Sequence, residues 1–166
     1  MNVAELLSDG FDRIQEVVYE AVEGLTPEQL SWQVKPGANS IAWLVWHLTR
    51  VQDDHVAEVA GTDQVWTAGG WSGRFALPLP EYSTGYGHSE AEVAAVRVKD
   101  PALLTGYYDA VHEQTKKFLS GLTGTHLDRV VDERWDPPVT LGVRLVSVIG
   151  DDLQHAGQAV YLRGLL

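Results

Sequence analysis

Apolar residues recur at intervals of three and four in four separate stretches, and this period most constrains the fold. The spacing places the apolar residues on one face of an α-helix, and such a face must be buried against another element. No stretch has a confident strand pattern or an internal repeat. The sequence therefore predicts an all-α four-helix bundle. Its helices should span about Val3 to Glu23, Asn39 to Ala60, Pro101 to Ser120 and Thr140 to Arg163.

The segment between the second and third helices, residues 61 to 88, differs from the rest of the chain. It is rich in glycine and proline but also carries five aromatic residues. Linkers between domains lack such aromatic residues, and loops of this length in compact domains are often lids or binding loops. We therefore expect one domain over residues 1–166, with a long crossover loop between helices two and three.

The charge and the absence of cysteine exclude several classes of function. The formal net charge is −11, which argues against nucleic acid and against anionic membrane surfaces. The longest central apolar run, Ile41 to Trp46, is far shorter than the roughly 20 residues that cross a bilayer. Met1 to Gly10 contains no basic residue and does not resemble a signal peptide, so we expect a cytoplasmic protein. Without cysteine, any metal must bind to histidine, carboxylate or backbone oxygen.

Two of the six histidines occupy positions where an apolar residue is expected. His47 follows the apolar run that ends at Trp46, and His155 interrupts the core-facing stripe of the fourth helix. A buried imidazole needs polar partners. By contrast, His88 and His126 lie in predicted loops, and His112 has polar neighbours, so we expect all three at the surface.

Two aspartates precede His155 at distances that suit a shared site. Asp151 lies four residues earlier, about 40° away around the helix, so its carboxylate and the imidazole can reach one point. Asp152 lies three residues earlier, and periodicity alone does not choose between them. An acid–histidine pair joined by a histidine from a neighbouring helix is a common way to bind metal in a bundle.

Other polar residues could line the same region. Asp54 follows His47 by seven residues, about 20° away in projection, and is a candidate fourth ligand, supporting acid or solvated charge. His55 is a candidate pocket residue. Arg144 is close to His155 in projection and could meet a substrate carboxylate or form a surface ion pair. The six tryptophans are expected mainly in the core.

Two segments resemble the DinB/YfiT-like superfamily: Trp46-His47-Leu48, and residues 151–158, which end in His155-Ala156-Gly157-Gln158. The chain is most similar to an actinobacterial branch related to mycothiol-dependent maleylpyruvate isomerase. The resemblance covers essentially the whole chain and implies a DinB-type four-helix bundle with a metal bound by His47, Asp151 and His155. The commonest family pattern has histidine at position 151, whereas the maleylpyruvate isomerases have a carboxylate there. Zinc is the metal that the family implies, and nickel, iron or manganese also suit two histidines and a carboxylate.

The resemblance also implies a chemistry and an assembly. Characterised relatives include S-transferases and isomerases that use mycothiol, bacillithiol or glutathione, with the metal activating the thiol toward an electrophilic substrate. If the protein has this chemistry, the 61–88 loop and Trp135 are expected to form a lid and an apolar wall, and Gln158 is a candidate pocket residue or partner of a metal ligand. The alternatives are a hydrolase whose metal activates water and a ligand-binding or stress-response bundle without catalysis. Family members are often homodimers, and we expect one here.

Overall fold

Four long helices form a bundle in the computed structural model, which describes residues 1–166. Helices α1 and α3 each pack against both α7 and α8, so α1 lies diagonally opposite α3. This arrangement confirms the all-α four-helix bundle that the apolar periodicity predicts and the DinB-like fold that the resemblance implies. The long helices are α1 (Val3–Val22), α3 (Ile41–Ala60), α7 (Pro101–Leu119) and α8 (Leu141–Arg163), with short helices α2 (Pro27–Leu30), α4 (Val65–Ala68), α5 (Trp71–Phe75) and α6 (Glu90–Ala95) between them.

The helix boundaries follow from local capping. Ser40 and Thr140 accept hydrogen bonds from backbone amides in the first turns of α3 and α8. Asp100 caps α7, whose first residue is Pro101. Gly61 ends α3 in the left-handed region at φ 68°, where a residue without Cβ meets no steric penalty. These positions agree closely with the boundaries expected from the sequence.

The crossover between α3 and α7 has more structure than a loop. It contains α4, α5 and α6, and Trp66 and Phe75 pack into the main core. Asp53 of α3 accepts hydrogen bonds from the backbone amides of Val65 and Trp66, both at 2.8 Å, and so fixes the start of α4. The crossover is therefore held against the bundle by both apolar and polar contacts.

A small two-stranded sheet interrupts the otherwise helical fold. Strands β1 (Val130–Asp132) and β2 (Val139–Thr140) pair antiparallel ahead of α8, where the sequence indicated no strand. The pair is too short for a period-2 pattern to be visible in sequence. Trp135, in the turn between them, is 65% exposed rather than part of an apolar wall. None of the helices is long and apolar enough to cross a membrane.

The second half of α3 is buried, although its residues are polar. Arg50, Gln52 and Asp53 are each at most 2% exposed, because the crossover and α7 cover this part of the helix.

The expectation that His112 lies on the surface is wrong. This residue of α7 is 7% exposed, and its imidazole pairs with the carboxylate of Asp12 at 2.9 Å. Sequence neighbours did not reveal these burials because the covering segments come from distant parts of the chain.

Candidate metal centre

Two helices bring the predicted metal ligands together. His47 lies in the second turn of α3, and Asp151 and His155 lie one turn apart on α8. One potential ligand atom from each of the three residues lies within 4.8 Å of the other two. The imidazole rings of His47 and His155 have centroids 4.8 Å apart. The structure thus joins the three residues that the resemblance implied.

The ring of His47 is oriented by the crossover. Its Nδ1 is hydrogen-bonded to the backbone carbonyl of Thr84, and a carbonyl can only accept, so Nδ1 carries the proton. The lone pair of Nε2 is then left for a metal. Gly85 makes this approach possible: at φ +103°, a Cβ there would lie 2.5 Å from His47 Nδ1. Any larger residue at position 85 would displace the loop or the ring.

The ring of His155 has a matching orientation. Its Nδ1 lies 3.2 Å from Oε1 of Gln158, an acceptor, while Nε2 lies 3.8 Å from Oδ1 of Asp151. The protonated nitrogen therefore faces Gln158, and the basic nitrogen faces the ligand group. Gln158, one of the candidate supporting residues, thus lies in contact with His155.

One unpartnered atom indicates that a cation fits this site. Oδ2 of Asp151 is buried and has no hydrogen-bond partner, which is costly for a carboxylate unless a cation or donor lies beside it. Two imidazoles with free Nε2 atoms and one carboxylate form a donor set for zinc and for other divalent transition metals. The three residues thus fit the metal that the family implies.

Asp152 is not part of the group, which resolves the choice that periodicity left open. Its side chain is fully buried on the core side of α8, and neither carboxylate oxygen has a partner. Burial, with a contribution from Asp151, raises the pKa of Asp152 well above its ordinary value. Burial therefore favours the neutral form of Asp152 over the carboxylate.

Burial also sets the protonation of His47. Desolvation lowers the pKa of its imidazole, and the hydrogen bond to Thr84 only partly opposes that shift. The neutral ring is consequently favoured at neutral pH. A neutral imidazole is the form that binds metal.

Aromatic side chains surround the ligands. The indole of Trp43 stacks on His47 with ring centroids 4.5 Å apart, and Tyr86 meets His47 edge-on at 5.1 Å. Tyr86 is 60% exposed, so it stands at the mouth of the site. His88, expected to be solvated, instead stacks on Trp46 and accepts a hydrogen bond from Trp43 Nε1. Local sequence patterns did not single out Tyr86 or His88 as site residues, because the positions of both depend on the path of the crossover.

The remaining candidates have other partners. Asp54 accepts a hydrogen bond from Gln64 at 2.7 Å. Arg144, which could have formed a surface ion pair, is buried. Its guanidinium lies 2.7 Å from Nδ1 of His55 and 3.1 Å from the carboxylate of Asp132. A polar pocket with a volume of about 420 Å³ is lined by Asp54, His55, Gln64 and Arg144, among others. His55 and Asp54 lie about two turns from His47 along α3, so they are neighbours of the ligand group rather than members.

The sequence and fold identify the family to which these residues belong. A family model for mycothiol S-transferases matches residues 6–166. The chain belongs to the mycothiol S-transferase family. The match spans nearly the whole chain, including His47, Asp151 and His155, and so confirms the family-level resemblance.

A solved structure supports the fold of this mycothiol S-transferase family member. The crystal structure of a conserved protein from Enterococcus faecalis is 36% identical to the chain and matches with a TM-score of 0.92. The similarity covers 98% of this chain and 96% of the other. A comparison with curated proteins finds no match.

Proposed function

We propose that this protein is a metal-dependent S-transferase that joins a mycothiol-type thiol to an electrophilic small molecule. The observation that carries the proposal is the convergence of His47, Asp151 and His155 within 4.8 Å, with each imidazole Nδ1 already engaged. The family match supports a thiol cosubstrate. The chain has no cysteine, so the reacting sulfur must come from that cosubstrate.

A bound divalent metal would supply a Lewis acid that lowers the pKa of the thiol. The protein's residues hold and enclose that centre. Trp43 packs on one side of His47, and residues 83–85 cover its Nδ1 edge. Tyr86 borders the exposed side, where the two substrates can enter.

The proposed reaction is a substitution or addition at an electrophilic carbon. With a chlorinated aromatic, the sulfur–hydrogen bond of the thiol breaks and its proton passes to solvent. The sulfur then forms a bond to carbon, and chloride leaves with the electron pair of the carbon–chlorine bond. A chlorinated aromatic compound therefore serves as the probe electrophile.

Elemental analysis of protein purified without chelator is the first test. We expect about one divalent metal per chain, with zinc as the favoured identity and nickel, iron or manganese as alternatives. The second test is mycothiol-dependent loss of a chlorinated aromatic, measured with and without protein. A chain that binds no divalent metal, or a metal-loaded chain that leaves the reaction at its uncatalysed rate, would contradict the proposal.

The second candidate is a hydrolase, in which the same open metal position binds water. The depressed pKa of His47 and the free Nε2 atoms are compatible with both chemistries. Thiol dependence separates them, because a hydrolase turns over ester substrates without added mycothiol. The family match favours the transferase.

We also propose that the protein is a homodimer. The outward face of α8 exposes Val143, Val146, Leu153 and Tyr161, and the exposed residues along it are uncharged, although the chain carries 23 acidic residues. A two-fold axis would place such a face against itself without charge repulsion. Light scattering tests this proposal, and a monomeric mass would contradict it.

A further inference from the structure

A buried arginine lies one turn beyond His47 on α3. Arg50 is fully buried, and its guanidinium lies 3.6 Å from the carboxylate of Asp53 and over the ring of Trp66 at 5.0 Å. Burying an arginine is costly unless its charge and its donors have partners. None of the three proposed ligands hydrogen-bonds or ion-pairs with Arg50, so the metal site alone does not explain its burial.

The donors of Arg50 reach the crossover at two separate places. Nε donates to the backbone carbonyl of Ser83 at 3.1 Å, and Nη1 donates to Oε1 of Gln64 at 2.8 Å. The two residues lie on opposite sides of α4 and α5 in sequence. One side chain of α3 therefore fixes both the beginning and the end of the segment that passes over His47.

The connection from Arg50 to His47 is short. We define residues 83–85 as the strap. Arg50 holds the strap at the carbonyl of Ser83, and the next carbonyl, that of Thr84, accepts the hydrogen bond from His47 Nδ1. Gly85 then lies directly against the imidazole. The strap thus joins the buried guanidinium to the ring that carries a metal-binding nitrogen.

The guanidinium of Arg50 is also held by residues outside the strap. Asp53 accepts hydrogen bonds from Val65 and Trp66 amides and from the hydroxyl of Tyr107, which in turn contacts Arg50 Nη1 at 3.3 Å. A planar guanidinium with several engaged donors has little freedom to move. Contacts within the protein therefore set its position and hence that of the strap.

We propose that Arg50 is a positioning residue for His47. Through the strap, it holds the Thr84 carbonyl where it keeps the proton on Nδ1 and aims Nε2 at Asp151 and His155. The proposal rests on the proposed metal site. Outer partners that orient a ligating histidine affect metal affinity by about 10- to 100-fold. A purely structural arginine would alter stability without acting on the imidazole.

The test compares Arg50→Lys with a matched control. Arg129 also donates to a backbone carbonyl of α3, that of Val59 at 2.7 Å, but at the other end of the helix. Zn²⁺ affinity is measured by competition with a chromogenic chelator for wild type, Arg50→Lys and Arg129→Lys. We expect a loss of about tenfold or more for Arg50→Lys alone. Affinities of both variants equal to that of wild type would overturn the proposal.

A second measurement does not need the metal. In the metal-free protein, nitrogen-15 NMR of the histidine rings reports which nitrogen of His47 carries the proton. We expect a defined Nδ1–H form in wild type and in Arg129→Lys, and a mixed signal in Arg50→Lys. An unchanged His47 signal in Arg50→Lys would overturn the proposal even if wild type bound no metal. Absence of metal from wild type would refute the proposed function separately.

Two further variants cover the case in which Arg50→Lys does not fold. Gly85→Ala disturbs the strap without touching Arg50, because its Cβ would meet His47, and it should reproduce the lost affinity. Gln64→Ala removes one support of the guanidinium and should give a smaller loss in the same direction. Wild-type affinity together with an unchanged His47 signal in Gly85→Ala would show that the strap does not position the imidazole, and would overturn the proposal.

Discussion

Gln158 and His155 are one helical turn apart on α8, and Oε1 of the amide lies 3.2 Å from Nδ1 of the imidazole. This contact is the counterpart, on α8, of the contact between Thr84 and His47. In both cases the acceptor engages Nδ1 and leaves Nε2 facing the other ligands. A side chain fixes one imidazole and the backbone of the crossover fixes the other.

Replacing Gln158 by leucine should weaken metal binding while leaving the fold intact. The substitution removes the acceptor that orients His155, and losses of about 10- to 100-fold are typical for such partners. The measurement is Zn²⁺ affinity by chelator competition. Gln154→Leu is the control, because Gln154 is exposed on the same helix and donates only to the backbone of Gly150. Equal affinities for the two variants would contradict the supporting role of Gln158.

Replacing either His47 or His155 by alanine should remove the bound metal. Each substitution leaves two protein ligands, too few for a tight divalent site. Metal content per chain is measured after purification without chelator, and mycothiol-dependent turnover should be lost in parallel. The control is His126→Ala, since His126 is exposed and its side chain hydrogen-bonds only to Thr123. Full metal content in either ligand variant would contradict the assignment.

Tyr86 should contribute to substrate binding rather than to metal binding. Its ring contacts His47 edge-on but remains 60% exposed at the mouth of the site. We expect Tyr86→Ala to raise KM for the electrophile severalfold, as loss of one aromatic contact of about 1 kcal/mol would do, with metal content unchanged. Tyr82→Ala is the control because Tyr82 is 84% exposed. Equal KM values for both variants would exclude a role for Tyr86.

The sequence was sufficient to predict site residues whose arrangement depends on one helix. It was insufficient for residues that the crossover brings to the site. The i, i+4 pair of Asp151 and His155 follows from helical geometry alone, and the apolar run before His47 marks that residue as unusual. The choice between Asp151 and Asp152 needed the folded structure, in which Asp152 is buried in the core and Asp151 lies beside His47 and His155.

Arg50 and Tyr86 show what local pattern cannot reveal. Arg50 lies in a polar half-helix that resembles a solvated surface, and only the folded crossover buries it. Tyr86 lies in a glycine-rich segment with no period, so nothing in its neighbours indicates the ring that it meets. Both positions are set by contacts between residues far apart in sequence, which periodicity and spacing do not record.

Because of Asp132, the free energy of unfolding should depend on pH in the acidic range. Hydrogen bonds from Arg134, with a further contribution from Arg144, hold the pKa of its carboxyl well below the ordinary value of 3.8. In that acidic range the unfolded chain binds a proton that the folded chain does not, so the free energy of unfolding falls as pH decreases. The stabilisation is fully present above the unfolded pKa and is lost as pH falls toward the folded pKa.

Urea unfolding of wild type and Asp132→Asn, from about pH 7 down to about pH 2.5, measures this contribution. We expect the variant to be less stable at neutral pH, because Arg134 and the buried Arg144 lose their carboxylate partner. The difference between the two proteins should narrow as pH falls, because the Asp132 carboxylate of the unfolded wild-type chain takes up a proton first, which stabilises the unfolded state. Asp136→Asn, in the same turn, controls for general charge. A difference independent of pH would show that Asp132 stabilises the fold without its charge.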